Sequence, residues 1–185
     1  MAGFDGLTLT TEHLRLRPLV AADAPALLAA FSDPRVMRYW STSPWTGIEQ
    51  AQAFIERSLE AQQSGDALRL GIMRTGDGLL IGQCTLFSFS AQSRRAEIGY
   101  ALRADAWGQG HMHEALCALL DHGFGEMQLN RIEADIDPRN AASARSLERL
   151  GFAREGLLRE RWIVAGEVSD TALYGLLACD WQARR

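Results

Sequence analysis

The chain has 185 residues, of which 47% are hydrophobic and 23% are charged, so we expect a single domain, residues 1–185, with one substantial core. Its formal net charge is −4 and it has no dense basic stripe, which argues against nucleic acid as a partner. It shows neither a secretion signal nor a run of about 18 apolar residues, so we expect no membrane partner.

The N-terminal half alternates between strand-like and helical patterns. In chain order it predicts a strand, two helices and a two-stranded hairpin: Leu7–Leu16, Val20–Phe31, Ile48–Leu59, Leu68–Arg74 and Leu79–Phe87. Asp23 is the expected N-cap of the first helix, which Asp33-Pro34 should end. Thr46 and Glu49 have the spacing of a capping box before the second helix.

The C-terminal half alternates in the same way. It predicts a strand, a helix, a strand, a helix and two final strands: Arg94–Leu102, Gly110–Phe124, Arg131–Ile136, Asn140–Leu150, Phe152–Ile163 and Val168–Cys179. Gly151 is typical of the residue that follows a helix, and Ala165-Gly166 of a turn between strands. Helices among antiparallel hairpins predict an α+β fold.

Trp107-Gly108-Gln109-Gly110-His111-Met112 lies between a predicted strand and a predicted helix. The first turn of a helix has amide groups without intrahelical partners, and the helix dipole adds about half a positive charge there. Glycine lets an anion approach the backbone closely. The stretch therefore predicts a phosphate or pyrophosphate site, although turn geometry alone explains the glycines equally well.

Two other glycine-rich phosphate motifs do not match this stretch. A P-loop ends in Gly-Lys-Ser/Thr, and His111-Met112 stands there instead. A Rossmann turn needs an acidic residue about twenty positions on, after a second strand, whereas Asp121 falls inside the predicted helix.

A second informative stretch runs from Asn130 to Ser143 and is followed by Leu147-Glu148-Arg149-Leu150-Gly151-Phe152. With the glycine turn, it resembles the GCN5-related N-acetyltransferase (GNAT) superfamily, and more narrowly its ribosomal-protein N-terminal acetyltransferase (RimJ/RimL) type. The resemblance extends over nearly the whole chain. It implies a mixed, mostly antiparallel sheet of about seven strands, splayed between the fourth and fifth, with helices on both faces. Trp107 and Met112 depart from the superfamily motif but fit the RimJ/RimL type.

The resemblance implies acetyl-CoA as cofactor, CoA as product, and no metal. It assigns cofactor binding to Ala101, Leu102, Arg103, Gly108, Gln109, Gly110, His111, Met112, His113, Asn140 and Ser143. Amides from about Gly108 to His113 would hold the pyrophosphate, and the strand end at residues 101–103 would pair with the pantetheine amides. Asn140 would hold the pantetheine region, although it is equally a good helix N-cap.

The resemblance also implies a general base. Glu97 stands where some members of the superfamily place a base glutamate on the fourth strand, and a solvent-facing carboxylate is the alternative interpretation. Glu160 and Asp170 are further candidates for the base, or salt-bridge residues of the last strands.

A general acid is harder to assign. The superfamily often has a tyrosine seven residues after the asparagine, and Leu147 occupies that position here. Ser143 is the nearest replacement, or else a polar residue of the first helical turn. Tyr100 and Tyr174 are weaker candidates, since both also suit the core.

The acceptor pocket is expected around Tyr39, Trp40, Trp45 and Tyr100. The first three lie in a segment that helps to wall the pocket in the family; a hydrophobic lid or a contact in a homodimer are alternatives. Deprotonating a lysine side chain at pH 7 costs roughly 4.6 kcal/mol, and an α-amine only about 1.1 kcal/mol. We therefore expect a primary amine acceptor, on a protein N-terminus or a small molecule. The alternative is a non-catalytic CoA-binding module.

The cysteine and histidine patterns do not indicate a metal. His111 and His113 are two positions apart, so they face different sides of the predicted helix. Cys84, Cys117 and Cys179 lie far apart in apolar runs, without a CxxC pair. They are typical of free thiols in a reducing compartment, which favours the cytoplasm.

Overall fold

The computed structural model describes Phe4 and residues 6–184. Within this part of the chain there are eight strands: β1 Leu9–Thr10, β2 Leu14–Arg17, β3 Ala67–Arg74, β4 Leu80–Ser90, β5 Arg95–Leu102, β6 Arg131–Ile136, β7 Ala153–Val164 and β8 Glu167–Leu177. The same residues form six α-helices: α1 Ala24–Phe31, α2 Pro34–Met37, α3 Ile48–Ser64, α4 His111–Phe124, α5 Ala141–Leu150 and α6 Ala178–Gln182.

The strands form one open sheet in the order β1-β2-β3-β4-β5-β6-β8-β7. Only β5 and β6 pair in parallel, which confirms the predicted mixed, mostly antiparallel α+β fold. The described strands number eight rather than seven because the predicted strand Leu7–Leu16 folds back on itself. Its two halves pair with Leu9 opposite Leu16, and Thr11 closes the turn through a backbone hydrogen bond to Leu14.

Two predicted helix caps differ in detail. Asp23 is the N-cap residue of α1, as predicted, but its carboxylate does not bind the free amides of that helix; it accepts a hydrogen bond from the Val20 amide and forms an ion pair with Arg17, each at 2.8 Å. Gln50, not Glu49, completes the box before α3, since its Oε1 accepts hydrogen bonds from the amides of Thr46 and Gly47. Both corrections reflect which side chain reaches the free amides.

Three predicted boundaries also moved. The helix expected to end at Leu59 continues to Ser64, where Gly65 ends it in the left-handed conformation. Pro34 does not only end a helix; it begins α2, whose Arg35 amide is capped by the Asp33 carboxylate. The last predicted strand stops at Leu177, because residues from Ala178 onward form α6.

Alternating side chains of the central strands pack on two separate cores. Leu86 of β4 and Ile98 of β5 belong to the larger core, which α4 and α5 cover. A smaller core on the opposite face is built around Phe31 of α1 and Ile55 of α3. Helices therefore lie on both faces of the sheet, as predicted.

The sheet splays between β5 and β6. These strands pair only from Arg95 to Glu97, opposite Arg131 to Glu133. Beyond this point β6 stays paired with β8, whereas residues 98–102 of β5 have no strand on that side. The splay falls between the strands that the sequence predicted as fourth and fifth, and the chain enters α4 and α5 directly after them.

Candidate active site

A cavity of about 710 Å³ lies along the splay. It is bounded by the face of β3–β5 that points away from the larger core and by the segment from Met37 to Pro44. The start of α5 and the hairpin of β7 and β8 close the other side. The predicted site residues that line it are Tyr39, Trp40, Glu97, Tyr100, Asn140 and Ser143. The fold therefore brings together predicted site residues from three separate parts of the chain.

The glycine turn prepares the N-terminal end of α4. Gly108 and Gly110 have φ values of +72° and +83°, a conformation that strains residues with a Cβ, and nothing lies within 4 Å of where either Cβ would be. The amides of residues 108–113 donate no hydrogen bond to any described residue. Gln109 steadies the turn by donating from Nε2 to the Asp105 carbonyl at 2.9 Å. Six free amides on an open surface suit an anion.

At the C-terminal end of β5, some of the backbone hydrogen-bonding groups are already bonded within the protein. The Leu102 carbonyl accepts a hydrogen bond from the Trp107 indole at 2.9 Å. Arg103 donates its amide to the Ile81 carbonyl, and its guanidinium forms an ion pair with Asp105 at 2.9 Å. Of its backbone groups, Arg103 therefore has only the carbonyl to offer a ligand. Ala101 lies beside it on the unpaired part of β5.

Tyr100 and Ser143 meet across the splay. Their hydroxyl oxygens are 2.8 Å apart, although the residues are far apart in sequence. Burial raises the pKa of Tyr100 to about 12, so its phenol stays protonated at neutral pH. The Asn140 Oδ1 accepts a hydrogen bond from the Ser143 amide at 3.1 Å and so caps α5. This arrangement can deliver a proton to an atom placed in the gap.

The Glu97 carboxylate has no ion-pair partner among the described residues, whereas the neighbouring Glu133 carboxylate has two. Glu133 lies opposite it on β6, and the guanidinium groups of Arg95 and Arg131 both bind Glu133, which lowers its pKa despite partial burial. The Glu97 carboxylate makes no hydrogen bond or ion pair with a described residue. It lines the cavity and can accept a proton there.

Several predicted candidates lie outside the cavity. Asp170 accepts a hydrogen bond from the Glu160 amide at 2.8 Å, where three residues of β7 bulge opposite one of β8, and neither carboxylate lines the cavity. Tyr174 is buried in the larger core. Trp45, expected in the acceptor wall, stacks on Phe31 with ring centroids 4.6 Å apart and belongs to the smaller core instead.

Sequence reasoning missed other cavity residues. Arg69, Gln83 and Thr85 line the cavity from β3 and β4, within strands whose alternate residues are buried leucine, isoleucine and cysteine. The period-2 alternation of strands places all three side chains on one face of the sheet. Polar side chains on a face that otherwise packs in a core are the sequence signal that could have identified these residues. Asp135 and Trp162 join from the other side, with a hydrogen bond of 3.4 Å between them.

The described residues form neither a metal-binding cluster nor a membrane-spanning helix. Within Phe4 and residues 6–184, no three His, Cys, Asp or Glu side chains gather into a group that could hold a metal ion. None of the helices formed by these residues has the length and apolar character needed to cross a membrane. No disulfide joins Cys84, Cys117 and Cys179.

This fold and site define an N-acetyltransferase. Residues 13–153 match the profile of the Acetyltransferase (GNAT) domain, so the chain belongs to the GNAT acetyltransferase family. It is 38% identical to "Uncharacterized N-acetyltransferase p20" of Bacillus licheniformis, over 92% of this chain and 96% of the relative. It is 27% identical to the [Ribosomal protein uS5]-alanine N-acetyltransferase of Escherichia coli, over 96% and 94% of the two chains. The RimJ/RimL-like resemblance is thereby confirmed.

A solved structure of a GNAT-family acetyltransferase from Bacillus anthracis has the same fold. It superimposes with a TM-score of 0.83 at 26% identity, and the alignment covers 93% of this chain and 99% of that one.

Proposed function

We propose that the protein transfers an acetyl group from acetyl-CoA to a primary amine of low pKa, on a protein N-terminus or a small molecule. The observation that carries the proposal is the row of free amides at residues 108–113 beside a splay that leads into the cavity. The match of residues 13–153 to the Acetyltransferase (GNAT) domain supports it.

The residues at the splay fit acetyl-CoA. The amides of residues 108–113 would bind the pyrophosphate, because they point free N–H groups and the positive end of a helix dipole at one place. The unpaired edge of β5 at Ala101 and Leu102 would pair with the pantetheine amides. The side-chain NH₂ of Asn140, which donates to no described residue, would hold the same arm from α5. When bound, acetyl-CoA supplies the acetyl group as an activated thioester.

Glu97 would take a proton from the amine at its carboxylate. The acceptor must be neutral to attack, and an α-amine gives up its proton at a cost of only about 1.1 kcal/mol at pH 7. One free carboxylate in a partly buried cavity is adequate for this step. Lysine acceptors would require a stronger base, and among the described cavity residues there is none.

Ser143 would donate a proton from Oγ toward the leaving sulfur. The Tyr100 hydroxyl lies within hydrogen-bond distance of that oxygen, and its pKa of about 12 keeps it able to donate in turn. The pair can therefore supply the proton that a tyrosine would supply at position 147. Leu147 itself is fully buried in the larger core and cannot.

The test is a thiol-release assay with acetyl-CoA against peptides with free N-termini and small amines, with the products read by mass spectrometry. We expect CoA release that depends on the amine and a mass gain of one acetyl group on it. If calorimetry shows CoA binding but no amine causes CoA release from acetyl-CoA, the result would instead favour the non-catalytic CoA-binding module that the sequence left as the alternative.

A further inference from the structure

Arg69 is a cation inside the cavity, and no carboxylate of the described residues forms an ion pair with it. It projects from β3, donates from Nη1 to the Ser58 hydroxyl at 2.9 Å and lies over the Phe54 ring at 4.5 Å. Its Nε is buried without a hydrogen-bond partner among the described residues. Burial, with a smaller effect from Arg57, lowers the pKa of Arg69 to about 10. The protein therefore holds a guanidinium in place without neutralising it.

No carboxylate of the described chain lies within ion-pair distance of Arg69. The charges of the other cavity arginines are compensated in other ways. Arg139 pairs with Asp137 and Glu167, whereas Arg38 and Arg161 are exposed to water. A partly buried charge is costly unless an ion or a hydrogen-bond acceptor compensates it. A guanidinium held in this way suits a planar or tetrahedral oxyanion, which it can bind with two parallel hydrogen bonds.

Gln83 is a second, independent sign of a polar ligand. It lines the cavity from β4, is 1% exposed, and its Oε1 has no hydrogen-bond partner among the described residues. Buried amide oxygens are almost always hydrogen-bonded, so this oxygen needs a donor from outside the chain. An apolar acceptor would leave both Gln83 and Arg69 unsatisfied.

Arg69 and Glu97 lie on the same face of the sheet. Arg69 is opposite Thr85, Thr85 is opposite Gly99, and Glu97 is two residues from Gly99. With neighbouring strands about 4.8 Å apart, the two backbones are about 12 Å apart, and their long side chains can reach two ends of one small group. Arg69 and Glu97 thus offer opposite charges to a group that lies between them.

We propose that the acceptor carries an acidic group, a carboxylate or a phosphate, close to its amine, and that Arg69 binds this group while the amine lies toward Glu97. This inference rests on the proposed function and names its substrate class. The acid could belong to a small amino acid or to the N-terminal residue of a peptide, since both present the same chemistry.

Matched acceptors separate these sources. The first pair is the α-amides of aspartate and asparagine, the second is the α-amides of phosphoserine and serine, and the third is two tripeptide amides that begin with aspartate or asparagine. Each pair is compared by kcat/KM at equal concentrations of neutral amine. Wild type is measured beside Arg69→Met, Arg69→Lys and Arg57→Met, which removes a nearby exposed charge outside the cavity.

In at least one pair we expect wild type to prefer the acidic member by about ten- to a hundred-fold, as a charge-assisted hydrogen bond allows. Arg69→Met should abolish this preference through a higher KM for the acidic acceptor, with the KM for acetyl-CoA unchanged. Arg69→Lys should keep part of the preference, and Arg57→Met all of it. Equal use of both members in every pair, or a preference that survives in Arg69→Met, would overturn the inference.

A failure of the proposed function would look different. If no amine is acetylated, the acidic members are titrated into the protein by calorimetry. Binding that weakens about ten-fold or more in Arg69→Met supports the anion site on its own. Absence of binding to wild type overturns it.

Discussion

Tyr100 Oη and Ser143 Oγ lie 2.8 Å apart and join the two sides of the splayed sheet. Tyr100 belongs to the part of β5 that has no strand on its β6 side, and Ser143 to the first turn of α5. The bond therefore spans the gap in which the acyl donor is proposed to lie. It also links a partly buried phenol to a hydroxyl whose backbone position Asn140 fixes.

Replacing Ser143 with alanine should lower kcat by about a hundred-fold, the lower range for loss of a general acid. Tyr100→Phe should have a smaller effect, because Ser143 would still reach the leaving group. The KM for acetyl-CoA should change little in either variant. Ser146→Ala removes the same atom from the same helix outside the cavity and serves as the control. Equal kcat values for Ser143→Ala and Ser146→Ala would remove Ser143 from the mechanism.

The Tyr100 phenol should titrate at about pH 12, since burial raises its pKa from 10. Between pH 10 and 12 the unfolded chain loses this proton while the folded chain keeps it, so folding stability should fall as the pH rises through that window. Tyr100→Phe lacks the group and should lose less stability there. Denaturant unfolding of both proteins at several alkaline pH values measures the difference. If wild type and Tyr100→Phe lose the same stability between pH 10 and 12, the phenol is not buried.

Glu97→Gln should lower kcat by about a hundred-fold and leave CoA affinity unchanged, because it removes the proton acceptor without changing the shape of the cavity. Glu160→Gln is the matched control, as Glu160 is exposed and outside the cavity. A lower kcat with unchanged CoA affinity would show that the substitution impairs catalysis and not cofactor binding. Wild-type turnover in Glu97→Gln across neutral pH would instead make Glu97 a structural residue.

The core elements of the fold could be predicted because their periodicity is local. Arg131–Ile136 was predicted to the residue, since buried Ile132 and Ala134 alternate with polar neighbours. The first strand was not, although a signal existed. Leu7 and Leu9 stand at odd positions, whereas Leu14 and Leu16 stand at even ones, and one continuous strand cannot bury both pairs on one face. The turn between them follows from that change of parity.

Contacts between distant segments could not be predicted in the same way. Trp40 and Trp45 stand in a loop without periodicity, and only the packed structure shows that Trp40 faces the cavity while Trp45 stacks on Phe31. The partner of Tyr100 is far away in sequence. Likewise, only the packed structure shows that no carboxylate of the described residues pairs with Arg69. Charge pairing across strands depends on register, which composition does not encode.

Gly110→Asp should abolish CoA binding, because the side chain would place a negative charge where the amides of residues 108–113 would hold a pyrophosphate. Gly78→Asp controls for backbone strain. Both glycines have positive φ, +83° and +68°, and both have open space around the added Cβ, so each substitution should cost about 1–2 kcal/mol of stability. Gly78 lies in the turn between β3 and β4, outside the cavity. Calorimetric titration with CoA should show at least about ten-fold weaker binding for Gly110→Asp alone. Equal affinity in the two variants would place the cofactor away from the start of α4.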